Sequence, residues 1–287
     1  MQRTLRILVS SGLVILIGGA TIGGTGAFFS DSETSTGNVL EAGAIDLIVG
    51  NESYVTDPSG TLVVSTSTSW ELDNLSGQLF FDFNDVKPGD FGEDTISFRV
   101  IDNRSWLCAA GRITADHDGD YTEPELLDDP TISPLAPQST DGELAENLEF
   151  TFWADDGDNV LETNETSRIF LNGTAAQLAA QPPIALIDST INRWTLNPGR
   201  PTFGNQTYYV GKAWCFGDLI ATPIPQDGAT TSNPLLRGTG FTCNGAALDN
   251  RAQTDVVEGD LEFYSIQSIH NEQFACALDY VPSWQTP

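Results

Sequence analysis

The chain has 287 residues, 40% of them apolar, and carries 40 acidic against 12 basic side chains for a formal charge of −28. That apolar fraction suffices to bury a core, which excludes a disordered polymer. The one-sided charge repels nucleic-acid phosphates and anionic lipid, which excludes both as partners, while attracting cations.

Arg3 and Arg6 precede the apolar run ILVSSGLVILIGGATIGG, which ends in the small residues Thr25, Gly26 and Ala27. A basic start, an apolar core and a small-x-small ending read as a secretory leader over residues 1–27, cut between Ala27 and Phe28. The alternative is an uncleaved anchor. The run from Ile7 to Ile22 is shorter than the roughly 20 residues a spanning helix needs and is broken by Ser10, Ser11, Gly12 and Gly18. The expected product is a secreted chain of residues 28–287, extracellular or on the cell surface, with no stable membrane anchor after cleavage.

Past the cut stand Phe28-Phe29 and Ser30-Asp31, then a polar stretch containing Asn38, then Ala42-Gly43 and the alternating Ala44-Ile45-Asp46-Leu47. Further on, DFNDVKPGD at residues 82–90 is followed by the strand-like DTISFRVIDN. Together these phrases, spread over about the first 110 residues, resemble the TasA/camelysin group of secreted proteins. That resemblance implies a jelly-roll arrangement, removal of the leader by a specialised signal peptidase and, for the fibre-forming members, self-assembly in an extracellular matrix such as a biofilm. It also implies a donor strand over residues 28–40, headed by Phe28 and Phe29 and ending at Val39 and Leu40. The alternative for this segment is an ordinary first strand of its own molecule.

Alternating apolar residues separated by Gly, Pro, Asn and Asp predict strands over 44–49, 61–69, 78–83, 95–101, 106–113, 148–154, 206–216, 241–243 and 260–268. In the third of these, Leu79, Phe81 and Phe83 fall on one face. Residues 116–142, acidic and rich in proline, predict a long surface loop. The best helix candidate is 175–180, after a cap at Asn172-Gly173-Thr174 and before Pro182-Pro183. The class is therefore all-β, a jelly-roll-like β-sandwich with long loop insertions in a single domain.

Four cysteines in an exported chain favour two disulfides over metal thiolates. Of three possible pairings, Cys108–Cys276 with Cys215–Cys243 is preferred, on the expectation that each ties neighbouring strands. Six Asn-x-Ser/Thr sites, at Asn51, Asn74, Asn103, Asn164, Asn172 and Asn205, are expected to mark exposed loops.

Two acidic clusters share an Asp-Gly-Asp centre: Asp116, Asp118, Asp120 with Glu123 and Glu125, and Asp155, Asp156, Asp158 with Glu162 and Glu165. Close-set carboxylates on a turning loop suit calcium, a hard cation taking six to eight oxygens. Neither has the EF-hand register, so a solvated acidic loop is the alternative. Enzyme motifs are missing: His117 and His270 are solitary, with no H-E-x-x-H, and no Gly-x-Ser-x-Gly elbow occurs. The leading expectation is a non-enzymatic structural subunit that polymerises with itself. The second is a monomeric binding module contacting partners through residues 116–142 and 221–240, and the third a metallopeptidase-like hydrolase. The six tryptophans are read as packing residues before a sugar platform.

Overall fold

The computed structural model describes residues 45–119, 122–129, 142–228 and 233–285. The Ala27–Phe28 junction, the segment from Phe28 and Phe29 to Val39 and Leu40, and Asp120 lie outside the described residues. Eleven strands are described: β1 (Asp46–Thr56), β2 (Leu62–Asp73), β3 (Phe91–Ile101), β4 (Ser105–His117), β5 (Leu148–Asp155), β6 (Ile169–Thr174), β7 (Ile184–Ile187), β8 (Thr207–Phe216), β9 (Asp218–Ala221), β10 (Phe241–Asn244) and β11 (Val256–Gln267).

They form a six-stranded antiparallel sheet in the order β2-β1-β3-β8-β5-β6, a three-stranded sheet β11-β4-β7 and a hairpin β9–β10. The short turn after Ile101 carries the chain from the large sheet to the small one, as expected of a jelly-roll-like sandwich. The period of two then sorts each strand between two cores. Val49, Ile96, Phe98, Tyr208 and Val210 face inward from the large sheet onto Trp106, Cys108, Ala110, Phe263 and Ile266 of the small one. The opposite face of the large sheet carries a second core of Trp153, Ala213 and Cys215, roofed by Leu161, Leu219 and Phe241. Trp153 can lie there only because residue 211 is glycine. A Cβ at Gly211 would stand 2.2 Å from the indole.

Both disulfides have the expected pairing. Cys108–Cys276, with Cα atoms 5.7 Å apart, fixes the C-terminal segment to β4. Cys276 begins a one-turn helix rather than a strand. Cys215–Cys243, at 5.5 Å, ties β10 to β8 and so holds the roof on the second core. The bridges span 168 and 28 residues. Loop-closure entropy then gives an expected loss of about 5 kcal/mol for Cys108→Ser/Cys276→Ser and about 4 for Cys215→Ser/Cys243→Ser. Urea titration checks the order. A larger loss at the shorter loop would show that packing of the roof, not chain entropy, governs.

Other expectations are corrected. Residues 78–83 form no strand, because their aromatic rings are used as plugs at the rim of the sandwich. Phe80, not its neighbours, is buried, edge-on to Trp70 and Phe263. Phe83 stacks on Trp214 and Phe81 meets Phe150. Within the acidic segment, Thr122 and Glu125 make a reciprocal capping box that starts helix α1 (Glu123–Asp128). The helix expected at 175–180 is α3 (Ala175–Ala179), after α2 (Leu144–Asn147), and Thr174 and Gln177 cap it in the same way. Asn51 marks no exposed loop. It is 3% exposed, and its amide donates to Thr68 O and Asp94 Oδ1. Trp106, Trp153 and Trp214 are buried packing residues, and no described helix is long and apolar enough to cross a membrane.

Candidate metal centre

The end of β5 turns away from the outer face of the large sheet through Asp155-Asp156-Gly157-Asp158, and the chain then folds back over that face. Trp153 and Asp155 share a face by strand alternation, so the Asp155 carboxylate is drawn in beside the indole. It accepts from Trp153 Nε1 at 2.9 Å and from the Gly157 and Asn159 amides at 2.9 and 3.2 Å. Asn159 takes a left-handed φ of 57°, after which Val160 and Leu161 are both fully buried, Leu161 in the second core. Burying this apolar pair drags Glu162 and Glu165 out of water, and both are fully buried.

The expected carboxylates divide into two groups. Asp155 and Asp156 join Glu165, each offering an oxygen within 4.8 Å of the others. Asp158 and Glu162 join Asp227. The second group already holds a cation: Arg237, at the end of helix α4 (Pro234–Arg237), lies 2.7 Å from Asp158, 2.5 Å from Glu162 and 3.1 Å from Asp227. The first group has no such partner among the described residues. Glu165 accepts from the Glu162 amide through Oε2, but Oε1 is buried without a hydrogen-bond partner, as is Asp156 Oδ1. Glu93, from β3, is also fully buried on this face, and neither of its oxygens has a hydrogen-bond partner. Desolvation pushes the Glu165 carboxyl up to about 9 and Asp155 to about 7, and neighbouring carboxylates add to both. Glu93 is raised well above its ordinary range by burial and then by the charges of Asp155, Asp94 and Asp158.

A third group unites Asp118 with Glu143 and Asp255. Asp116, from the same expected cluster, stays in the ladder of β4 opposite Val257. The Asp255 carboxylate accepts from the amides of Glu143 and Leu144, so it also caps helix α2.

Comparison with protein-family models and with curated proteins gives no match.

The acidic clusters could hold a metal, and the Asp155–Asp156–Glu165 group is the one on this face without a basic partner among the described residues. Of the buried carboxylates on this face, Glu165 was in the expected cluster, whereas Glu93, brought in from β3, was not.

Proposed function

We propose that this chain is a secreted structural subunit of an extracellular fibre or surface matrix, stabilised by calcium and assembled by strand donation. The observation that carries the reading is an open sheet edge beside an apolar groove. β11 is 12 residues long and, among the described residues, pairs with β4 on one side only, at the end of its sheet. Beside it runs a cleft lined by Ile45, Leu47, Val49 and Leu75 on one wall and Phe263, Tyr264 and Ser265 on the other. Such an edge accepts an added strand through its free amides and carbonyls, and the groove accepts that strand's alternate side chains. The proposed occupant is the segment 28–40 of the neighbouring copy, with Phe28 and Phe29 as its anchors. Head-to-tail repetition of that contact gives an open filament rather than a closed ring. Two disulfides fit an oxidising compartment, which supports export.

Calcium at Asp155, Asp156 and Glu165 would hold the loop that roofs the second core. It supports the subunit and takes no part in any reaction.

The test is the secreted protein itself. Its first residue is expected to be Phe28, by N-terminal sequencing. Sedimentation and electron microscopy should show concentration-dependent filaments for that form and none for the uncleaved chain. Monomers at every concentration would replace this reading with that of a soluble binding module.

A further inference from the structure

Opposite the acidic centre, on the inner face of the large sheet, three polar side chains stand where the core would otherwise be apolar. Asn51 is on β1, Asp94 on β3 and Lys212 on β8, three strands adjacent in the sheet. Asp94 is the direct cross-strand partner of Lys212. Both side chains are fully buried, which is rare for lysine. The chain has only two lysines, Lys87 and Lys212. The aromatic plug seals the site: Phe80 O accepts from Lys212 Nζ at 3.4 Å, and the Phe81 ring centre is 3.8 Å from Nζ.

The contact between the charged ends is unusual. Nζ is 2.9 Å from Asp94 Oδ2, but Oδ2 accepts no hydrogen bond of normal angles. The other oxygen, Oδ1, accepts from Asn51 Nδ2 at 3.0 Å, and Thr68 O holds that same amide nitrogen at 2.7 Å. The arrangement is thus an amine against a carboxyl group whose far oxygen is held by a fixed donor, with water excluded. A buried ion pair of poor hydrogen-bond geometry regains little of its desolvation cost.

We infer that Lys212 and Asp94 condense into an intramolecular isopeptide bond between Nζ and Cγ, releasing one water. A proton first passes from Nζ to Oδ2, leaving a neutral amine and a neutral carboxylic acid. Burial favours that exchange, because it leaves neither charge unsolvated. Desolvation holds the lysine ammonium below its ordinary range against the opposing pull of Asp94. The amine lone pair then attacks Cγ, and the C=O π pair moves onto Oδ1, where the Asn51 N–H stabilises the negative charge. When the C=O bond re-forms, the Cγ–Oδ2 bond breaks, and the hydroxyl leaves with a proton from the former amine as water. Atoms and charge balance without oxidant, metal or cofactor. Holding both groups in contact supplies an effective concentration on the order of 10⁵–10⁸ M. The bond joins β3 to β8 at the centre of the large sheet, and it does not depend on the fibre reading.

Lys-C protease reads the bond directly. The two lysines, Lys87 and Lys212, give cuts that differ in fragment size. Purified protein, unfolded and reduced, should stay uncut after Lys212 whether or not it is cut after Lys87, and its intact mass should be lower than the sequence requires by one water. Tandem mass spectrometry should place the loss in a branched peptide joining Lys212 to Asp94. Full mass with clean cleavage after Lys212 would overturn the proposal. So would a loss of ammonia mapped to Asn51, which would make Asp94 the proton carrier instead of the acyl partner. Asn51→Ala should slow the reaction and give a mixture of cut and uncut chains. Complete reaction in that variant would remove Asn51 from the assigned role.

Discussion

In chelator, stability is expected to fall as pH rises from about 4 to 9, and calcium is expected to reverse that slope. Carboxyls raised chiefly by desolvation set the window, among them Asp158 to about 6, Asp155, Glu143 and Asp255 to about 7 and Glu165 to about 9, with Glu93 also well above its ordinary range. A carboxyl raised in the folded state keeps its proton after the unfolded chain has released it. The folded state therefore binds more protons across the window, and unfolding becomes easier as pH increases. The stabilising contribution is complete below the ordinary carboxylate range and is lost on passing through each raised value. Calcium binds the ionised ligands, so its effect grows over the same range. At 100 times its dissociation constant a folded-state ligand adds about 2.7 kcal/mol. For a chain of this size that is a rise in Tm of about 5–10 °C. Sodium at equal ionic strength should give almost none of it.

Variants divide the centre. Glu165→Gln should flatten the pH slope above 7 and abolish the calcium shift, because Glu165 belongs to the group that lacks a basic partner. Asp227→Asn should leave the calcium shift in place, since Asp227 belongs to the group served by Arg237. Thermal melts in calcium and sodium that superimpose at pH 8 would reduce the centre to a buried acidic loop.

Alternating apolar residues made β4 and β11 legible as strands, although burial along neither alternates cleanly. The even cysteine count left three pairings open, and the preferred one is the one observed. The segment 78–83 alternated equally well yet forms no ladder. Periodicity reports which side chains seek burial, not whether the backbone has a neighbour to bond. The short strands β6, β7 and β9 carry too few residues to show a period. The acidic centre was half legible. Asp155, Asp156, Asp158 and Glu162 stand close together in sequence, but Arg237 divides them from about 75 residues away. Glu93 was hidden by position, because the alternation in sequence marks a strand only from residue 95, whereas β3 begins at Phe91. The Asn51–Asp94–Lys212 row was hidden for the same reason. Adjacent residues Glu93 and Asp94 serve opposite faces of one sheet, a distinction that appears only once β3 has neighbours on both sides.

Deleting residues 28–40 from the mature chain is expected to abolish filaments and leave a folded, β-rich monomer. A donated strand stabilises its neighbour's edge, so its removal uncovers a groove without emptying the donor's own core. Among the described residues Val49, Phe98 and Phe263 already share one core with Trp106 and Val210. An intrinsic first strand would behave differently, since its loss would strip core side chains from the same molecule and unfold or aggregate it. Circular dichroism with sedimentation separates these outcomes. A peptide of residues 28–40 added in trans should bind the truncated monomer. Leu75→Glu should prevent that binding, because it sets a charge in the groove at a residue 41% exposed and outside the core. Phe28→Ser/Phe29→Ser in the intact mature chain should weaken assembly to a similar degree, since buried aromatic anchors commonly carry much of an interface's energy. If the truncated chain is folded but polymerises as before, assembly uses another edge and β11 is not the acceptor. The flanking edges β2 and β6 would then be the next to block, because each ends the six-stranded sheet with one side unpaired among the described residues.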